Sequence, residues 1–238
     1  MDIPDKVIEA IVVRKRNVLL RGKAGTGKST LIERLKQQLG SRIVITATTG
    51  ISAYLLNGVT LHSWAGLGLA NDTAENLAKK ILPSAAKRWK EAKVLVIEEI
   101  SMLSGIFFDK FSAVGQILRG DKTRAFGGIQ LVVVGDFLQL PPVSDSKDKR
   151  QDPTPFAFES KHWQLANFEM FTLTHVWRQT DAKFVAALDE IRLGFCSEES
   201  RLLLESCVNK ELKIKHLIFM KNIDYFLVLK DGNARYVH

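Results

Sequence analysis

The sequence predicts an α/β domain, a mostly parallel sheet with flanking helices, with a phosphate-binding turn at its first strand. Continuous apolar runs at 18–20, 43–45, 94–97 and 131–134 lack period-two alternation, so each reads as a strand buried on both faces. Helical patterns fall between them, and strand alternating with helix argues for a parallel α/β sandwich. A glycine-rich turn, Gly22-Lys23-Ala24-Gly25-Thr26-Gly27-Lys28-Ser29, follows the first run. That is where ligands of such sheets gather, at the carboxyl ends of the strands.

Taken in order, Asn17-Val18-Leu19-Leu20-Arg21 is the first strand, and the turn after it satisfies G-x-x-x-x-G-K-[ST]. Leu31, Ile32, Leu35 and Leu39 then repeat at helical spacing, and Gly40 stands where a helix would stop. The chemistry needs this order. Glycines let backbone N–H groups turn inward around phosphate oxygens, and the helix N-terminus adds partial positive charge. Lys28 is placed to reach the β- and γ-phosphates and the Ser29 hydroxyl to hold Mg²⁺, with Thr30 completing the nucleotide-binding set. A nucleoside triphosphate is the expected ligand of this chain, or of the one it descends from. The run at 94–97 ends in Glu98-Glu99. In such proteins the first acid binds Mg²⁺ and is usually Asp, while the second orients the attacking water. Glu98 is one methylene longer, and Mg²⁺ demands near-ideal octahedral geometry, so slower hydrolysis is expected.

Further along, a helical pattern surrounds 107–118, and the polar, proline-bearing stretch 144–155 reads as a surface loop. An apolar run at 168–173 precedes a helix suggested by Phe184, Val185, Leu188 and Ile191. From 216 the pattern changes to short apolar runs at 216–220 and 225–229, and Asp231-Gly232 signals a terminal hairpin.

The 238 residues are 46% hydrophobic and 25% charged, as in ordinary globular proteins. A net charge of +8, from 34 basic against 26 acidic residues, favours a polyanionic partner. Cys196 and Cys207 are the only cysteines and lack C-x-x-C spacing, which points to a reduced compartment without structural zinc. Met1-Asp2-Ile3-Pro4-Asp5 is acidic and fits neither a secretory signal nor a mitochondrial presequence. No apolar run is long enough to span a bilayer, so no membrane partner is expected.

The segment Gly127-Gly128-Ile129-Gln130 through Gly135-Asp136-Phe137-Leu138-Gln139-Leu140-Pro141-Pro142-Val143 has no generic structural reason to be written this way. It closely resembles motif III of the petite-integration-frequency (PIF) family of 5′-to-3′ DNA helicases, superfamily I. Thr46-Ala47-Thr48-Thr49-Gly50-Ile51-Ser52-Ala53 through Gly58-Val59-Thr60-Leu61-His62-Ser63-Trp64-Ala65-Gly66-Leu67-Gly68 resembles motif Ia and its extension. Glu98-Glu99-Ile100-Ser101-Met102 resembles motif II, and Val176-Trp177-Arg178-Gln179 the V-[FW]-R-Q segment.

The resemblance implies a RecA-like P-loop NTPase lobe with a small inserted subdomain, hydrolysing ATP in repair, recombination and telomere maintenance. It implies catalytic roles for Lys28, for Glu99 on water, for Gln139 as γ-phosphate sensor and for Arg178 as γ-phosphate clamp. Thr48, Thr49, Thr60, His62, Ser63 and Trp64 would contact single-stranded DNA. Trp64 keeps two readings, base platform or core packing, and His62 reads as a scaffold histidine more than a catalyst. The expected organisation is a first lobe over 1–195 with an insertion at 69–91, then a tail over 196–238. Residues 1–13 lack the family's adenine-reading glutamine, and no T-x-H-K-x-Q-G-like or A-L-S-R-like segment follows. A second RecA-like lobe is therefore expected to be missing from the chain. The alternative function is a truncated or degenerate nucleotide- and DNA-binding module. The expected location is intracellular: nucleus or mitochondrion in a eukaryote, otherwise cytoplasm.

Overall fold

The computed structural model describes residues 2–142 and 156–208, together with the backbone of two strands at 226–230 and 233–237. Met1–Arg178 forms one compact unit and Gln179–His238 another.

The first unit opens with α1 (Ile3–Val12), then β1 (Val18–Gly22), α2 (Lys28–Leu39) and β2 (Ile43–Ala47). Short α3 (Gly50–Leu55), β3 (Val59–Thr60) and α4 (Leu61–Ala65) follow. Next come α5 (Ala74–Lys80), α6 (Pro83–Glu91), β4 (Val94–Glu98), α7 (Gly105–Arg119) and β5 (Gln130–Gly135). The unit closes with α8 (Lys161–Ala166) and β6 (Glu169–Leu173). Six strands pair in the order β3-β2-β4-β5-β1-β6, every pairing parallel. The expected surface loop at 144–155 lies outside the described residues.

Unbroken apolar runs follow from burial on both faces. Along β4, Val94 and Val96 pack with α1 and α2 residues such as Ile11, Leu31 and Leu35. Leu95 and Ile97 face the other way, against Trp64, Trp89, Phe108 and Phe111. β5 repeats the division, with Val132 and Val134 on the first side and Leu131 and Val133 on the second. A strand wet on one face would have shown alternation, as β6 does at the sheet edge with only Leu173 fully buried. Within the expected insertion, α6 sends Ala85 and Trp89 into the core.

In the second unit, α9 (Ala182–Arg192) and α10 (Glu198–Glu205) pack together and Ser197 caps α10. β7 (Phe226–Lys230) and β8 (Asn233–Val237) form an antiparallel hairpin, as the sequence led one to expect. The run at 216–220 and the Asp231-Gly232 turn lie outside the described residues.

Candidate nucleotide site and single-strand contacts

The phosphate loop leaves β1 at Gly22 and enters α2 at Lys28. Gly25 and Gly27 hold φ of 75° and 90°, in the left-handed region where a Cβ is penalised. Thr26 is buried and donates its hydroxyl to the Lys23 carbonyl at 2.9 Å, which tightens the turn. Lys28 Nζ donates to the carbonyls of Gly22 and Lys23 at 2.7 and 3.0 Å. Burial pushes the pKa of its amine down, while Glu99, Glu98 and Asp136 pull it up and Arg178 opposes them. Parallel strands deliver those acids to one edge: β4 ends at Glu98, and Asp136 follows β5. Ala24 is exposed beside the half-buried Lys23, and Ser29 and Thr30 are exposed on the first turn of α2.

Glu98 is 6% exposed, and its carbonyl accepts from the Thr48 backbone N–H at 3.0 Å. The Thr48 hydroxyl donates to the Glu99 carbonyl at 2.9 Å, which ties the expected DNA segment to the acidic strand end. Glu99 itself sits at φ 55°, ψ 44°. For a non-glycine residue that conformation is strained by roughly 1–3 kcal/mol, and such strain gathers at functional sites. Gln139 donates from Nε2 to Asp136 Oδ2 at 3.2 Å and from its backbone N–H to the Asp136 carbonyl at 3.0 Å.

The segment that carries Arg178 reaches the loop through the backbone of the preceding residue. The N–H of Trp177 donates to the Gly25 carbonyl at 2.8 Å. A Cβ on Gly25 would stand 2.7 Å from Arg178 Cβ, so only glycine admits the segment this close. Lys28, Glu99, Arg178 and the Gln139–Asp136 pair thus converge on one edge of the sheet. Asp136 is 4% exposed and was not singled out as a site residue from the sequence. The signal was available, because it ends an apolar run three positions before Gln139, as Glu98 ends another.

The expected single-strand contacts lie at the same edge and divide into two kinds. Thr49 caps α3 by accepting from the Ser52 N–H at 3.2 Å, and Thr60 caps α4 by accepting from the Ser63 N–H at 3.2 Å. Ser63 is exposed. His62 lies edge-on to Phe107 and Phe111 at 5.6 and 5.1 Å, and burial lowers its pKa, which keeps it neutral near pH 7. Trp64 requires a correction. It is 4% exposed, with its ring 4.7 Å from that of Trp89, so no base can stack on it and core packing is its role.

Residues 1–201 match the family model described as PIF1-like helicase. The chain belongs to the PIF1-like helicase family. It is 43% identical over 204 residues to the ATP-dependent DNA helicase PIF1 of Xenopus laevis, covering 84% of this chain and 31% of that protein. It is 42% identical over 197 residues to the Emericella nidulans PIF1, covering 79% and 26%. The Candida albicans Pif1 helicase superposes with a TM-score of 0.80 at 36% identity, over 90% of this chain and 48% of that one. A Bacteroides Pif1 in complex with ADP-AlF3 and ssDNA superposes at 0.79 with 28% identity, over 89% and 50%. The chain therefore spans about a third or less of the two PIF1 relatives and about half of the two solved structures. The RecA-like fold implied by the sequence is the fold of these relatives. No helix among the described residues is long and apolar enough to cross a membrane.

Proposed function

We propose that this chain binds and hydrolyses ATP as the first motor lobe of a DNA helicase that acts on single-stranded DNA. The observation that supports it most is the setting of Lys28, on a glycine loop that faces Glu98, Glu99 and Asp136 with Arg178 close by. The loop N–H groups and Lys28 hold the triphosphate, and Lys28 and Arg178 oppose the charge that develops on the γ-phosphoryl oxygens. Glu99 orients the attacking water and accepts its proton. Gln139, held by Asp136, senses the γ-phosphate. The Ser29 hydroxyl and the Glu98 carboxylate are hard oxygen donors that suit Mg²⁺, which when bound neutralises phosphate charge. Thr48, Thr49, Thr60 and Ser63 contact the phosphates of the strand through hydroxyl and backbone N–H groups.

In this reading, residues 1–195 are the lobe, 69–91 its insertion and 196–238 the tail, a boundary that falls inside the second compact unit, between the packed α9 and α10. The work is done inside the cell, where DNA is, in nucleus, mitochondrion or bacterial cytoplasm. A second reading, a binding module that no longer hydrolyses, is favoured by Glu98 in place of the aspartate that motif II normally carries and by the lack of an adenine-reading glutamine in residues 1–13. Titration calorimetry with Mg·ATP tests the first. Lys28→Ala should lose a charge-assisted phosphate contact of about 1.5–3 kcal/mol. Equal affinity in the two proteins would refute the phosphate-loop assignment.

A further inference from the structure

Phe137 stands in the turn after β5, between Asp136 and the Gln139 that Asp136 holds. Besides the two bonds from Gln139, the Leu138 N–H donates to Asp136 Oδ1 at 3.3 Å, so the turn is closed upon itself. The Phe137 ring anchors it from outside. Phe158 meets that ring edge-on at 4.9 Å and 84°, Phe156 at 6.5 Å and 83°, and Trp163 at 6.0 Å and 74°. Phe156 and Phe158 lie nearly parallel, 5.1 Å apart. Edge-to-face and stacked pairs are arrangements in which ring quadrupoles attract. The two phenylalanines are themselves tied down. The Glu159 carboxylate accepts from the Phe156 N–H at 2.9 Å across the single turn at Ala157–Glu159. The Ser160 hydroxyl just after it donates to Asp109 of α7 at 2.7 Å. Phe158 is 41% exposed, so its loss would take little from the core.

We infer that Phe158, backed by Phe156, is a positioning residue for the γ-phosphate contact: it braces Phe137 and so aims the Gln139 amide. The inference rests on reading Gln139 as the γ-phosphate sensor. A hydrogen bond from an amide to a phosphate oxygen weakens steeply with angle, so the turn that carries the amide has to be held. Phe137 is two residues from Gln139 in one closed turn, and a ring wedged against Phe137 keeps that turn from rocking. Phe158 acts through Phe137 and not on the nucleotide. Its effect is therefore confined to ligands that carry a γ-phosphate.

The test is calorimetry on the 238-residue chain with Mg²⁺ and either ADP or β,γ-methylene ATP, which keeps its γ-phosphoryl group. Gln139→Ala should weaken the triphosphate by about tenfold, the order of one charge-assisted hydrogen bond, and leave ADP unchanged. Phe158→Ala should weaken the triphosphate by about fivefold, the order of one aromatic pair. It too should spare ADP, whose normal binding shows that the chain is folded. Phe158→Tyr keeps the ring and should keep the affinity. Added to Gln139→Ala, the Phe158→Ala change should have no effect on the triphosphate, because a sensor that is gone cannot be misaimed. Additive losses, an equal loss for ADP, or unchanged triphosphate affinity in Phe158→Ala would each overturn the brace and leave the sensor reading standing. If Gln139→Ala itself leaves triphosphate affinity untouched, the sensor reading falls, and the brace with it.

Discussion

At Glu98 the side chain is one methylene longer than aspartate, and it is buried at a strand end whose carbonyl is fixed by Thr48. A buried carboxylate on a pinned backbone cannot retreat to make room for its extra length. Glu98→Asp should let Mg²⁺ recover its short, near-octahedral coordination. Steady-state ATP hydrolysis, measured with this lobe joined to a family second lobe, should rise about fivefold, roughly 1 kcal/mol off the barrier. An unchanged or lower rate would show that the strand end has adapted to glutamate. Glu99, next along, stands at positive φ where the turn at Ile100–Met102 begins.

At the level of elements, α8 is fastened to α7 through one carboxylate. Asp109 accepts from the Ser160 hydroxyl at 2.7 Å, from the His162 backbone N–H at 3.1 Å and from the His162 ring at 2.6 Å. Burial alone would raise the Asp109 pKa, but these hydrogen bonds outweigh it and hold the carboxyl below its ordinary value. A depressed carboxyl pKa stabilises the fold above the unfolded value, and the gain is lost as pH falls through the folded one. Asp109→Ala should therefore destabilise by about 1–3 kcal/mol at neutral pH, because it strands buried donors. In urea titrations the gap between Asp109→Ala and wild type should begin to narrow below about pH 4, where the unfolded chain's carboxyl takes up its proton, and go on narrowing as pH falls through the lower folded value. A gap that stays constant down to pH 2 would show that Asp109 acts through packing and not through its charge.

For the molecule as a whole, DNA binding separates from DNA unwinding. The net charge of +8 and the hydroxyl-bearing loops at the carboxyl edge of the sheet suit weak binding to single strands. Each phosphate contact releases a counterion, so affinity for an oligothymidylate should fall steeply between about 50 and 200 mM salt. Salt-independent binding in fluorescence anisotropy would remove the phosphate-contact reading. Strand separation needs two lobes that move against each other across bound ATP, and the described residues hold one six-stranded sheet. The chain alone should leave a 5′-tailed duplex intact in excess ATP, and robust strand displacement would show that one lobe suffices.

Local rules made much of this legible in sequence. Burial on both faces writes a strand as an unbroken apolar run, so β1, β2, β4 and β5 could be read directly. The phosphate loop was readable because its glycines, lysine and serine act within one turn of chain. β3 was not, since two residues at a sheet edge carry no periodicity. Nor does α1 stand out, although Val7, Ala10 and Ile11 hold the helical spacing of a buried face. Trp64 stayed ambiguous because a tryptophan looks the same in sequence whether it faces a base or another tryptophan, and only its contact with Trp89 decides. The approach of Arg178 Cβ to Gly25 likewise joins distant parts of the chain, at a closeness that only glycine admits. Sequence alone determined which chemical groups the site contains, since each motif is local. Which of those groups meet, and which are spent on the core, was decided by the parallel sheet, because its register brings distant strand ends to one edge.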